Sequence, residues 1–434
     1  MHFTASDVAR ATDGTLFGPD ADLTGVSFDS RTLTPGQLFV ALVAERDGHD
    51  FVPAALERGA GACLVSERAI GMRGSGIVVA DTAEALMRLG GWGRSRTSAM
   101  VIGITGSVGK TSTKDLAKAA LGAGLRTTAN ERSFNNEQGL PSTILNAADD
   151  TEALVLEMGM RGFGEIARLC EVGRPTIGVV TNVAPAHTER VGNIEGVARA
   201  KAELVQALPA SGVAILNVDD PLVFAMTGMT AASVVGFGYG APADVRISRV
   251  QLDEFARARF SVHTPWGATE VSLAVSGEHM AANAAAAIAA AGSCGVDIVA
   301  AAAALGEARL SPGRMEIVFN RRGTLVINDA YNANPASMRA ALETLAAVPA
   351  SGRRIALLGV MAELADAEAA HAEIAELAQR RGIELVAIGT DLYGVPPTED
   401  PLAITASLAG NDAVLVKASR VAGLDRLAGL VVQQ

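Results

Sequence analysis

The segment Ile102-Gly103-Ile104-Thr105-Gly106-Ser107-Val108-Gly109-Lys110-Thr111-Ser112 constrains this chain more than any other. An apolar run from Ala99 to Ile102 leads into it, and a stretch of helical character from Thr113 to Leu121 leads out. Strand, glycine-rich turn and helix start together build a phosphate cradle. Glycines let backbone N–H groups reach phosphate oxygens, and the helix N-terminus adds partial positive charge. Lys110 then reaches the outer phosphates, and the Thr111 hydroxyl is suited to ligate Mg²⁺. Gly106, Ser107, Val108, Gly109, Lys110, Thr111 and Ser112 are therefore the expected nucleoside triphosphate loop. Its form is the narrow Thr-Gly-Ser-x-Gly-Lys-Thr, because Ile104 stands where the general pattern has its first glycine.

A chain of 434 residues is too long for one ordinary core, so two or three domains are expected around this loop. With 49% hydrophobic and 19% charged residues it reads as folded and soluble, and its net charge of −11 disfavours nonspecific nucleic-acid binding. No apolar segment reads as a membrane span; the run Ala281 to Ala291 comes nearest but is short. Met1 to Val8 lacks the basic and apolar regions of a secretion signal, so a cytoplasmic enzyme is expected. Cys63, Cys170 and Cys294 are too far apart to suggest a metal or disulfide framework.

The pattern along the chain predicts an α/β protein of three domains: a small α/β N-terminal domain over 1–97, a central P-loop domain with a parallel sheet and helices on both faces over 98–311, and a C-terminal Rossmann-like domain over 312–434. Helical character from Thr82 to Ser95 closes the first. In the second, Ala153–Leu156, Ile177–Val180 and Val213–Leu216 alternate with helical stretches, as parallel strands with crossover helices do. A break from Asp244 to Val275 suggests a hairpin around Thr264–Gly267. Pro312-Gly313 marks the joint to the third, where Leu325–Asn328, Arg354–Leu358 and Leu385–Ile388 are the expected strands.

Polar residues at strand ends are the remaining candidates, since open α/β sheets bind ligands beyond their carboxyl edges. Glu157 ends one strand and is suited to hold Mg²⁺, and His187 follows the next. Asp329, Asn332 and Asn334 crowd another strand end beside Tyr331, more polarity than a simple turn requires. Arg314 at the joint either clamps phosphate or bridges domains. His279 and Asn283 read equally as ligand contacts or helix-start polarity. Lys201, on an amphipathic helix, reads by default as a solvated lysine. Ser27, Asp29, Ser30 and Arg31 read alone as turn and strand-edge residues.

Taken together these motifs resemble the Mur ligases, ATP-dependent amide-forming enzymes of bacterial peptidoglycan precursor synthesis. Asp329-Ala330-Tyr331-Asn332-Ala333-Asn334-Pro335 resembles the signature of the branch that adds D-alanyl-D-alanine, and Ser133-Phe134-Asn135-Asn136-Glu137-Gln138-Gly139-Leu140-Pro141 and Glu157-Met158-Gly159-Met160-Arg161-Gly162 also match. The resemblance implies ATP as nucleotide, with His279, Asn283, Asn332, Asn334, Arg314 and Asp329 around it. It implies two Mg²⁺ ions near Thr111, Glu157 and His187, and a carbamylated Lys201 as a further ligand, against the solvated default. Lys110, Glu157, His187 and Lys201 are the implied catalytic set. Ser27, Asp29, Ser30 and Arg31 are implied at the uridine nucleotide, and Asn135, Asn136 and Arg161 on the muramoyl side. The implied substrates are UDP-N-acetylmuramoyl-tripeptide and D-alanyl-D-alanine, joined through an acyl phosphate by a monomer. One departure stands out: Leu358-Gly359-Val360-Met361-Ala362-Glu363-Leu364-Ala365 has Val360 where the family usually has aspartate. Glu363 and His371 remain, so the expected consequence is for substrate affinity. A sister ligase or a P-loop switch is the rival reading, but the sister's Asp-Asn-Pro-Arg and the switch's Asn-Lys-x-Asp motifs are absent.

Overall fold

The computed structural model describes residues 1–66, 74–131, 133–185 and 188–433. Its strands begin with β1 Phe3–Thr4, β2 Thr15–Phe17, β3 Asp22–Leu23, β4 Val26–Ser27, β5 Leu38–Val40, β6 Ala62–Val65 and β7 Gly76–Val78. The middle of the chain supplies β8 Met100–Thr105, β9 Thr127–Ala129, β10 Ala153–Glu157, β11 Ile177–Val180, β12 Val213–Asn217, β13 Ser233–Gly238, β14 Val245–Leu252, β15 Arg257–Thr264 and β16 Gly267–Ser276. The last third supplies β17 Glu316–Phe319, β18 Leu325–Asn328, β19 Arg354–Leu358, β20 Glu384–Ala387 and β21 Ala413–Lys417.

These strands form successive α/β units. The first sheet runs β2-β7-β6-β5-β4, parallel except for β2 at its edge, with β1 and β3 as a separate antiparallel pair. The helix Thr82–Ser95 covers it, started by Asp81, whose Oδ1 accepts from the N–H groups of Ala83 and Glu84.

The central sheet runs β16-β15-β14-β13-β12-β11-β8-β10-β9. Burial on both faces of β8, β10 and β11 follows from their near-continuous apolar runs. Ile102 and Ile104 of β8 and Val155 of β10 pack against Leu116 and Ala120 of the helix Lys110–Gly122. Val101, Leu154 and Leu156 face the other way, toward Leu140, Leu169 and Leu204. The hairpin expected around Thr264–Gly267 is present as β15 and β16. The sheet is parallel only from β9 to β14, and the hairpin of β15 and β16 extends it antiparallel. Phe260, Val262, Val271 and Leu273 bury the hairpin's inner face against the alanine-rich helix Met280–Ser293, so it continues the sheet. Small side chains let that helix lie close: a Cβ on Gly292 would fall 2.3 Å from the Trp266 ring. Its run from Ala284 to Ala291 is buried inside the protein, and among the described residues no helix is long and apolar enough to cross a membrane.

The third sheet runs β17-β18-β21-β19-β20, parallel apart from β17. Its central strand β21 is one the sequence reading did not name. Leu415 faces one apolar cluster and Val414 and Val416 the other, as a doubly wound sheet requires. Asp329 to Asn334, Val360 and Ser419 follow the carboxyl ends of β18, β19 and β21 and so share one edge of this sheet.

Candidate active site

The phosphate loop connects β8 to the helix Lys110–Gly122 and is braced from the next strand end. Val108 N–H donates to Asn182 Oδ1 at 2.8 Å, and Asn182 Nδ2 returns a bond to Val108 O at 3.0 Å. Thr181 Oγ1 donates to the same carbonyl at 2.7 Å, and Ser107 Oγ to Ala184 O at 2.9 Å. Gly106 and Gly109 have φ of +151° and +82°, and a side chain at either would collide with Thr181 or Asn283. Lys110 Nζ folds onto Gly106 O at 2.6 Å. Burial pushes this ammonium below its usual value, against the pull of Glu157, and Arg314 adds to the lowering.

Glu157 is 1% exposed at the end of β10. Its Oε1 accepts from Asn135 Nδ2 at 2.7 Å, and its Oε2 is buried with no hydrogen-bond partner among the described residues. An ionised oxygen left bare in the interior is costly unless something positive meets it. Asn130 shapes the loop around it, accepting from Glu157 N–H at 2.6 Å and donating to Phe134 O at 2.6 Å. Thr111 Oγ1 lies 3.1 Å from Ser133 Oγ, to which Arg314 Nη2 donates at 3.0 Å. Thr111 thus meets Ser133 and Glu157 meets Asn135, two residues along the same segment, and the oxygens of Thr111 and Glu157 are of the hard kind that suits Mg²⁺.

Lys201 overturns the solvated default. It is 2% exposed, on a helix Ile194–Gln206 started by Asn193. Val197, Ala200, Leu204 and Val205 form the buried stripe, and Lys201 falls within that stripe at helical spacing. The signal was therefore present in the spacing. Among the described residues its ammonium has no hydrogen-bond or ion-pair partner, and burial, reinforced by Lys110, pushes its pKa well below the ordinary lysine range. His187, the remaining member of the expected catalytic set, lies outside the described residues.

The third sheet faces this loop with Arg314, whose guanidinium stacks 4.3 Å from the Tyr331 ring and whose Nε is buried without a partner among the described residues. Asp329 accepts from Met315 N–H at 3.1 Å and from Lys417 Nζ at 2.5 Å, and Lys417 also donates to Asn332 O at 2.8 Å. His279 faces this pair from the central unit. Burial pushes it down to about 4, with Asp329 opposing and Lys417 assisting. Asn283 lies against Gly109. Asn334 takes a structural task as well, accepting from Ser337 N–H at 2.9 Å to start the helix Pro335–Ala347. Lys114 and Asp115, one turn beyond Lys110, reach the joint: Asp115 Oδ2 accepts from Ser311 N–H at 2.7 Å.

The residues expected at the uridine end and those expected on the muramoyl side make mostly local contacts. Arg31 clasps Asp29 with Nε at 2.9 Å and Nη2 at 2.7 Å, and Ser27 Oγ donates to Asp29 O, giving a half-buried local turn that includes Ser30, with Arg31 exposed. Phe28 beside it meets Phe134 edge-on at 5.8 Å, which brings that turn next to Asn135. Asn136 Oδ1 accepts from Gly139 N–H at 3.0 Å, in the turn that leads into the helix Gly139–Leu145. Arg161 is exposed, with its backbone N–H on Glu165. Residues missed at first are Thr181 and Asn182, which brace the loop, Ser133, and Lys417. A cleft of about 520 Å³ lined by Lys118, Arg126 and Glu152 opens at the far end of the helix Lys110–Gly122 and has no part in this cluster.

Comparison with known proteins identifies the family of the chain and its overall fold. The Mur ligase middle domain profile matches residues 104–291, and that of the Mur ligase glutamate ligase domain matches 313–433. The UDP-N-acetylmuramoyl-tripeptide--D-alanyl-D-alanine ligase of Mycobacterium tuberculosis is 40% identical over 470 residues, covering 94% of this chain and 92% of its own. The crystal structure of MurF from Acinetobacter baumannii superposes with a TM-score of 0.88 at 28% identity, over 100% of this chain and 99% of that one. MurF ligase from Thermotoga maritima in complex with ADP gives 0.81 at 26% identity, over 94% and 96%.

Proposed function

The chain belongs to the Mur ligase family, and from that premise we infer that it joins D-alanyl-D-alanine to UDP-N-acetylmuramoyl-tripeptide at the expense of ATP, forming the pentapeptide precursor, ADP and phosphate. It is a ligase of peptidoglycan precursor synthesis. The terminal carboxylate of the tripeptide attacks the γ-phosphoryl group, the bond to the β-phosphate oxygen breaks, and an acyl phosphate and ADP result. The amine of D-alanyl-D-alanine then attacks the acyl carbon, and phosphate leaves as the amide forms.

In this reading the loop Gly106–Ser112 holds the phosphates and Lys110 neutralises charge spreading over the transferred oxygens. Asn182 and Thr181 keep the loop in its receptive shape before ATP arrives. Arg314 reaches the phosphates from the third sheet, with Asp329, Asn332, His279 and Asn283 around the nucleoside. Thr111 and Glu157 would hold Mg²⁺, joined by His187 and a carbamylated Lys201; two ions are expected. Such ions, when bound, withdraw charge from the phosphates and orient them for in-line attack. A partnerless ammonium is a poor companion for a cation, whereas its carbamate offers an anionic oxygen. Ser27, Asp29, Ser30 and Arg31 take the uridine end, and Asn135, Asn136 and Arg161 the muramoyl side. The domain limits 1–97, 98–311 and 312–434, a monomeric state and a cytoplasmic location complete the proposal.

The observation that carries it is the buried Glu157 Oε2, without a hydrogen-bond partner among the described residues, at the end of β10 next to the strand that leads into the phosphate loop. Coupled ADP release, with ATP, Mg²⁺, the tripeptide and D-alanyl-D-alanine each omitted in turn, tests it. Turnover that needs all four supports the reading; ADP release indifferent to the dipeptide overturns it.

A further inference from the structure

We propose that Lys417 is a positioning residue for ATP binding, holding Asp329, the Asn332 carbonyl and, through Met315, Arg314 in the arrangement the nucleotide meets. The proposal rests on the reading of Arg314, Asp329 and Asn332 as nucleotide contacts.

β21 is the middle strand of its sheet and ends at Lys417, between the ends of β18 and β19. The side chain is 1% exposed and so contacts no substrate itself. Among the described residues its hydrogen bonds go to one segment: Asp329 Oδ2 at 2.5 Å, Asn332 O at 2.8 Å and Asp329 O at 3.5 Å. An ammonium has three donors, and here they fasten both ends of the turn Asp329–Asn332. Two residues on, Ser419 Oγ donates to Ala333 O at 3.1 Å, so the same strand end supports the next step of that turn.

The consequence reaches across the joint. With Oδ2 held by Lys417, the other carboxylate oxygen of Asp329 accepts from Met315 N–H at 3.1 Å. Met315 has φ of +48°, a left-handed backbone that a residue with a β-carbon adopts only when surroundings impose it. Arg314 precedes it directly and projects over Tyr331 toward Ser133 and the phosphate loop. A buried ion pair contributes little net stability compared with apolar residues of similar size. What this one delivers is the direction of two oxygens and, at one remove, of a guanidinium.

The test measures KM for ATP, KM for the tripeptide, kcat, and calorimetric binding of a non-hydrolysable ATP analogue, on the full chain. Lys417→Met should raise KM for ATP and the analogue Kd about tenfold or more, with KM for the tripeptide and kcat within about threefold, and Lys417→Arg should recover most of the loss. If K417M does not fold, Lys417→Gln, which keeps one donor toward Asp329, carries the same thresholds. A lowered melting temperature with KM for ATP within twofold of wild type overturns the proposal. Arg314→Ala, run in parallel, separates the two readings: if it weakens ATP and the Lys417 variants do not, only the positioning role falls; if neither weakens ATP, the nucleotide reading falls with it.

Discussion

Arg314 and Ser133, separated by 181 positions in the chain, meet through a 3.0 Å hydrogen bond from Nη2 to Oγ, and Ser133 lies 3.1 Å from the Thr111 hydroxyl. The bond ties the third sheet to the phosphate loop through one serine. Arg314 also keeps its ring contact with Tyr331, so the serine orients the guanidinium more than it holds it.

Replacing Ser133 by alanine removes a bond to a charged donor, worth roughly 1.5 kcal/mol, which is about tenfold in affinity. KM for ATP should rise by that order while KM for D-alanyl-D-alanine stays unchanged. Steady-state kinetics with each substrate varied in turn would refute the link if ATP affinity were unaltered.

Glu157→Gln keeps the shape and the bond from Asn135 but removes the charge. On the proposed role kcat should fall by about a hundredfold or more, of the order seen on losing an electrostatic contributor to a transition state. The Mg²⁺ concentration for half-maximal rate should also rise. Magnesium titrations of the two proteins that overlay would rule the role out.

Unmodified, Lys201 buries its amine without a described partner, which is unfavourable for the fold. Lys201→Met retains the stem among Val197, Leu204 and Val205 and discards the charge. The variant should melt higher than wild type in magnesium-free buffer, yet turn over at a small fraction of the rate. Calorimetric melting and ADP release decide it, and a variant both less stable and fully active would contradict the assignment.

His371 is buried, its Nε2 accepting from Met361 N–H at 2.9 Å and its Nδ1 lying 2.6 Å from Ala367 O. Burial pushes its pKa below the usual value, against the pull of that carbonyl. The unfolded chain takes up a proton below about pH 6.5 that the folded chain resists, so this contribution is complete above that pH and declines as pH falls toward the folded value. His371→Gln supplies an oxygen acceptor for Met361 and cannot titrate. Its melting temperature should drop less than wild type between pH 7.5 and 5.5; equal drops would exclude His371 as the source.

Much of this was legible without coordinates. The phosphate loop, the strand ending at Glu157 and the helix starting at Pro335 each depend on residues a few positions apart, and the structure has them where the spacing put them. Helix Thr82–Ser95 has the limits its pattern predicted, because Asp81 is a local start signal. β21 was passed over, and with it Lys417, although the strand ends on a charged residue much as β10 ends on Glu157. Lys201 shows a different failure. Its place in the apolar stripe was readable, but a lysine's preference for water outweighed the spacing in the reading.

What the sequence determined by itself is therefore the set of local conformations and the chemistry displayed at their ends, since backbone preference, capping and side-chain periodicity act over one or two turns. The tertiary structure decided which of those ends meet. Asp329 and Lys417 are 88 positions apart, and the hairpin of β15 and β16 joins the central sheet only because the helix Met280–Ser293 offers a face to cover. A charge becomes a clamp, a support or a solvated ornament according to what packs around it. That is settled by burial and electrostatics between segments distant in the chain, which local pattern does not encode.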